Sequence, residues 1–232
     1  MIFLVADTET SSAKDDRGVC EIGWIQIDEN WNIIQQVESL IDPQQAISPS
    51  ASGIHGLTNE DVADSPTLDE FFTLAGAPGC YGKRLQGPVV LIGHRIGFDR
   101  PAFEPYVDGE LLELDTLRYV RRLYPDMDDH KLATCVYALG LPRNFGDAHR
   151  VMNDVMWAYH LAKHIAERMG LSLPQLVAHA QQPMRVASLP FGKHKGEPLE
   201  KVPRSYLLWA RENMQLDQDT TFTINSIIGE PR

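Results

Sequence analysis

Cysteine is scarce in this sequence. Its 232 residues hold only Cys20, Cys80 and Cys135, in no CxxC pair and at no zinc-ligand spacing. That argues against a disulfide framework, thiol chemistry and a structural zinc, and fits a reducing compartment. No apolar run is long enough to cross a bilayer, and the apolar stretch Met1 to Ala6 meets Asp7 and Glu9 with no basic segment before it. A soluble, unexported, cytoplasmic protein with no membrane partner is expected. Basic residues are also few, 21 against 32 acidic for a net charge of −11, which argues against holding nucleic acid by broad phosphate neutralisation. EF-hand spacing, internal repeats and low-complexity tracts are absent. With 43% hydrophobic and 23% charged residues, the chain is not disordered and can bury a full core.

The charge that is present is unevenly placed. Residues 1–182 carry 14 basic and 26 acidic side chains, whereas residues 183–232 carry 7 and 6. An acidic body of this kind can hold divalent cations. Ile2 to Ala6 reads as a buried strand, Glu21 to Asp28 and Asn32 to Ile41 as an antiparallel meander, and Val89 to Gly93 and Leu111 to Leu114 as further strands. Pro43 to Pro66 reads as irregular. Helical spacing marks Thr67 to Ala75, Leu117 to Leu123, Lys131 to Leu139, Val151 to Met169 and Arg204 to Met214. The order of elements predicts an α/β domain with a mixed β-sheet flanked by helices over residues 1–170, a helical linker over 171–182, and a small C-terminal α+β appendage over 183–232.

Three polar clusters interrupt this pattern. Asp7-Thr8-Glu9-Thr10 sets two carboxylates at i and i+2 beyond an apolar strand, on one side of it, where they can hold a hard cation or simply be solvated. Gly93-His94-Arg95-Ile96-Gly97-Phe98-Asp99 carries an apolar strand into a His and then an Asp. His149-Arg150-Val151-Met152-Asn153-Asp154 opens a helix, where a polar starter and a dipole-favoured acid are the plain alternative.

In this order the three clusters resemble the DEDDh branch of the DnaQ-like 3′–5′ exonucleases. Ile47-Ser48-Pro49, Ile54-His55-Gly56-Leu57-Thr58 and Leu114-Asp115-Thr116-Leu117 extend the resemblance over residues 1 to about 170. The segments Phe191 to Gly196 and Tyr206 to Trp209 extend it to the end of the chain in a DNA-degrading member of like length. The resemblance implies a ribonuclease H-like fold and a metal-dependent exodeoxyribonuclease that releases nucleoside 5′-monophosphates. It further implies Asp7, Glu9, Asp99 and Asp154 as ligands of two Mg²⁺ ions, with Mn²⁺ able to substitute, and His149 as general base. Thr8, Thr10, His55, Gly56, Leu57 and Phe98 are implied as contacts of the terminal nucleotide. The implied partner is a DNA 3′ end, single-stranded or duplex. RNA is the alternative substrate, and a catalytically silent nucleic-acid-binding module is the alternative role. Dimers occur among such enzymes, so a homodimer is open to this chain, although no self-complementary surface is legible.

Two departures from the family pattern stand out. Arg95 occupies a position where Asn is usual, and the loop Ser11 to Gly18 is polar and lengthened. In the tail, Arg185, Lys193, Lys195, Lys201 and Arg204 form a basic segment that either tracks a phosphate backbone or is merely solvated. Trp209, at helical spacing with Tyr206, is expected in the small domain's core.

Overall fold

The computed structural model describes residues 1–13, 17–77, 79–143 and 150–229. His149 lies outside the described residues. By internal contacts the chain divides into two units, Met1–His179 and Ala180–Arg232.

The first unit is built on strands β1 (Ile2–Thr10), β2 (Val19–Ile27), β3 (Ile33–Leu40), β5 (Val89–Gly93) and β7 (Leu111–Asp115), in the spatial order β3-β2-β1-β5-β7. A two-residue pair, β4 (Leu85–Gln86) and β6 (Val107–Asp108), lies apart from it. The sheet is mixed. β1 is antiparallel to β2, with Asp7 opposite Gly23 and Glu9 opposite Glu21, and parallel to β5, with Leu4 opposite Leu91. The continuous apolar run of β5 is buried at every position, as a parallel strand covered on both faces requires.

Alternation along β1 divides its side chains between two layers. Leu4 and Ala6 join Ile22, Trp24, Leu91, Phe71, Phe72 and Phe103 in one core cluster. Its centre is aromatic, with Trp24 stacked on Phe72 at 6.0 Å and Phe72 on Tyr106 at 4.3 Å between ring centroids. This layer draws on α3 (Leu68–Thr73) and α4 (Arg100–Phe103). Ahead of them, α1 (Pro49–His55) and α2 (Asn59–Val62) occupy part of the stretch expected to be irregular. Helices of seven and four residues are too short to print a periodicity. Their signals are local: Ser48 caps α1 by accepting from the Ala51 amide, and the Asp61 carboxylate accepts from the Thr58 amide.

Beyond the sheet come α5 (Thr116–Leu123), α6 (Leu132–Ala138), α7 (Val151–Met169) and α8 (Leu173–Ala180). α7 packs on β1, β2 and β5 through Val151, Val155, Ala158 and Ala162, all buried. It comes close enough that a Cβ on Gly23 would stand 2.8 Å from Val151 Cγ1, so glycine at that point of β2 lets the first turn of α7 reach the sheet. The architecture is a mixed five-stranded sheet flanked by helices, the ribonuclease H-like arrangement.

The second unit contains α9 (Arg204–Asn213) and α10 (Gln218–Ile228) around a core of Leu189, Leu199, Val202, Leu207, Ile224 and Ile228. Its described β structure is a single antiparallel bridge, Ser188 to Pro198, closed over a tight turn with a one-turn 3₁₀ element at Gly192–His194. α10 carries β-branched and polar residues with weak helix preference. It is fixed from outside: Asp217 caps it through the Thr220 amide, and the buried Asp219 accepts from the Met184 amide. Trp209 is not core. It is 48% exposed, because α9 buries Leu207 and Ala210 on its other side. Among the described residues, no helix is long and apolar enough to cross a membrane.

Candidate active site

β1 runs from the core into the polar sequence Asp7-Thr8-Glu9-Thr10, and strand alternation sends Asp7 and Glu9 to the face that α7 covers. Asp154 comes down on the same place from the first turn of α7. Carboxylate oxygens of Asp7, Glu9 and Asp154 lie within 4.8 Å of one another, all three residues half-buried. Thr8 points the other way, and its hydroxyl donates to Asp99 Oδ1 at 2.6 Å. Asp99 is buried, one residue after the turn Ile96–Phe98 that leaves β5, and it is not among the three clustered acids.

Gathering acids in this way is electrostatically costly. Burial, followed by the charges of Asp99, Asp154, Glu9 and Glu21, holds the Asp7 carboxyl well above the usual carboxylate range. Glu9 is pushed up to about 8, first by burial and then by Asp154, Glu21 and Asp99, with Arg150 opposing. Asp99 rises to about 7 through burial, against the lowering effect of the Thr8 hydroxyl and Arg17. The donors are carboxylate oxygens only, crowded and mutually repelling. This chemistry fits a hard divalent cation such as Mg²⁺ or Mn²⁺ and offers nothing to a soft one.

Two charged residues at the site, Glu21 and Arg17, belong to none of the three polar clusters. Glu21, opposite Glu9 in the β1–β2 register, is 1% exposed. It accepts from Arg150 Nη2 at 2.6 Å and from the Val151 amide at 3.3 Å, holding the N-terminus of α7 against β2 and so placing Asp154. A lone acid inside the apolar run Val19–Ile27 was the readable signal. Arg17, from the lengthened loop, donates to the Phe98 carbonyl at 2.9 Å, and its guanidinium carbon stands 3.6 Å from the centre of the Phe98 ring. It thereby braces the turn that carries Asp99.

The remaining predicted contacts are engaged internally. His55 is buried: its Nδ1 accepts from the Leu57 amide at 3.1 Å, which leaves Nε2 to donate to the Thr10 carbonyl at 3.3 Å. The ring thus ties the end of α1 to the end of β1. Leu57 is buried with Cys20, Ile47, Ala51 and Val62. Gly56 is the left-handed cap of α1, and its amide donates to the Ser52 carbonyl at 2.8 Å. The Thr10 hydroxyl donates to the Ser12 carbonyl. Phe98 is half-buried under Arg17.

Around β5 the backbone is tightly set. Arg95 is left-handed at φ 67°, a costly conformation for its residue type and one that Asn tolerates better. It is held by its amide donating to Asp115 Oδ1 at 2.8 Å, and the same oxygen caps α5 through the Leu117 amide. His94 Nε2 donates to the His130 carbonyl at 2.7 Å, and burial pushes that imidazole down to about 4.

A β-strand ending in paired carboxylates is met here by a third from a helix laid across it, an arrangement able to hold a divalent cation. The profile of the family described as Exonuclease matches residues 4–162, and the chain belongs to that family. It is an exonuclease, a hydrolase of a family that uses divalent metals. Exodeoxyribonuclease 10 of Escherichia coli strain K12 is 26% identical over 216 residues, covering 90% of each chain. DNA polymerase III subunit epsilon of Treponema pallidum is 25% identical over 193 residues, 78% of this chain and 84% of that one. Among solved structures, exonuclease X in complex with 5′-overhanging duplex DNA matches with a TM-score of 0.59 at 24% identity, over 77% of this chain and 98% of that one. Residues 179–214 match a second family, described as "Putative quorum-sensing-regulated virulence factor".

Proposed function

We propose that this chain removes nucleoside 5′-monophosphates one at a time from the 3′ ends of DNA. The observation that carries the reading is the convergence of Asp7, Glu9 and Asp154 oxygens within 4.8 Å at the end of a buried strand. DNA is favoured over RNA because the relative matching nine-tenths of the chain is named an exodeoxyribonuclease. In the reaction the oxygen of water bonds to phosphorus, the bond from phosphorus to the 3′ oxygen of the penultimate nucleotide breaks, and that oxygen leaves with a proton. Asp7, Glu9 and Asp154, with Asp99 beside them, would hold two Mg²⁺ ions. Such ions, when bound, acidify water and neutralise charge on the leaving oxygen.

The chain's own groups have distinct tasks. Asp7 and Glu9 are fixed by the sheet, and Asp154 by the Glu21–Arg150 pair. Thr8 fixes Asp99 through its hydroxyl. His149 supplies an imidazole nitrogen that accepts the proton of the attacking water. Phe98, stiffened by Arg17, offers apolar surface to the terminal nucleotide. His55 and Leu57 contribute by holding the segment around Gly56 against the end of β1.

The test incubates purified protein with 5′-labelled single-stranded DNA, duplex DNA and RNA in Mg²⁺, Mn²⁺ or EDTA, with Asp7→Ala alongside. A metal-dependent ladder that shortens from the 3′ end of DNA, and is lost in Asp7→Ala, is expected. An undiminished ladder in Asp7→Ala would sink the site. No ladder on any substrate would sink the activity.

A further inference from the structure

The second unit carries a feature that the hydrolytic site does not use. Tyr206 and Trp209 lie one turn apart on α9, with ring centroids 5.3 Å from each other, and His194 meets Tyr206 edge-on at 4.7 Å. The three rings make one aromatic face. Together with Lys193, Pro203 and Ser205 they line an open surface cleft of about 520 Å³. The unit does not need Trp209 for its interior, since the core closes on Leu207 and Ile224 while the indole stays 48% exposed. The turn that supplies Lys193 and His194 is fitted to the face: Gly192 is left-handed at φ 68°, and any Cβ there would collide with the Tyr206 hydroxyl.

The lysine charge beside the rings is outside any described ion pair. Lys193 Nζ stands 5.2 Å from the Tyr206 ring centroid. Among the described residues, neither Lys193 nor Lys195 is in an ion pair, and both are exposed. Glu197, the near acid, is engaged by His194 Nδ1 at 3.1 Å. An exposed indole for a flat base, next to lysines outside any ion pair for phosphates, is the combination that single-stranded nucleic acid selects. In a chain of net charge −11, such a patch is a local exception.

We infer that the cleft of Lys193, His194, Tyr206 and Trp209 is an accessory site for single-stranded DNA, stacking a base on Trp209 and holding its phosphates with Lys193 and Lys195. The inference rests on nucleic acid being what the first unit hydrolyses, and its test separates the two readings. Full-length protein in EDTA is titrated into a 5′-fluorescein-labelled oligothymidylate and into an abasic strand of equal length, and anisotropy is read. Hydrolysis of thymidine 5′-(p-nitrophenyl phosphate) in Mg²⁺ reports the catalytic centre alone.

Trp209→Ala is expected to weaken oligothymidylate binding about tenfold, as loss of one stacked base would, while leaving the abasic strand and ester hydrolysis unchanged. Lys193→Gln is expected to weaken both strands alike. Wild-type oligothymidylate affinity in Trp209→Ala, or an equal loss on the abasic strand, overturns the site. Failure of the wild-type protein to cleave ester or DNA, with the Trp209 effect intact, overturns the exonuclease reading and leaves the cleft standing.

Discussion

In the first unit, like charges are pressed together: Asp7, Glu9 and Asp154 share a half-buried space with Asp99 and Glu21 close by, and among the described residues Arg150 and Arg17 act against them. In the second unit, Lys193 stands exposed beside the half-buried Tyr206 ring, and the neighbouring Trp209 indole stays exposed as well. One region is strained by its charges and needs a ligand to relieve them; the other is relaxed and has surface to offer. A centre that breaks bonds is preorganised at the expense of stability, whereas a surface that only holds a strand need not be.

That contrast can be broken most severely at Asp154. Asp154→Asn is expected to lower turnover by at least about a thousandfold, several kcal/mol of lost charge stabilisation, without weakening oligonucleotide binding in EDTA. Steady-state rates and anisotropy on one preparation check both halves, and a parallel loss of binding would show that the regions are not separable. Glu21→Gln should cost about 10- to 100-fold in activity or metal affinity, because it loosens Asp154 without removing a ligand. Excess Mg²⁺ should recover part of that loss, which a merely unfolded variant would not show.

The strain itself is visible in a melting curve. Glu9 and Asp99 bind protons more tightly folded than unfolded, so their stabilisation is complete near pH 4 and is lost as pH rises through about 7 and 8. His94 works the other way, its contribution being lost only as pH falls from 6.5 through about 4. Between pH 6.5 and 8.5, then, Tm of the metal-free protein should fall by several degrees, and saturating Mg²⁺ should flatten the curve. An equal fall in Mg²⁺ would assign the slope to other groups. The smallest effect belongs to the second unit, where Lys193→Gln should reduce the slope of log K against log salt by about 0.7 for a single strand.

What was legible in advance follows the range of the interactions. β1 and its carboxylates announce themselves because an apolar run and an i, i+2 pair are local patterns, and α7 because nineteen residues display a period. Glu21 and Arg17 stayed silent because their meaning depends on partners 129 and 81 residues away. Arg95 could be marked as unusual, but its left-handed backbone could not be seen without the Asp115 acceptor. His55 commits its ring nitrogens to the Leu57 amide and the Thr10 carbonyl, contacts that no spacing displays. A motif names the residue and not the direction in which its side chain turns. Trp209 was misplaced for a simpler reason. Helical spacing puts it with Tyr206, and only the packing of Leu207 and Ala210 decides which face is inside.

β1 is paired on both edges, antiparallel to β2 and parallel to β5. Were it to slip by one residue, Thr8 and Thr10 would lie beneath α7, and Asp7 and Glu9 would be driven into the aromatic layer. Such an error cannot occur at one edge alone, because the other ladder would have to break with it. Two neighbouring strands therefore proofread the alignment of Asp7 and Glu9, whatever becomes of the loops at either end of β1.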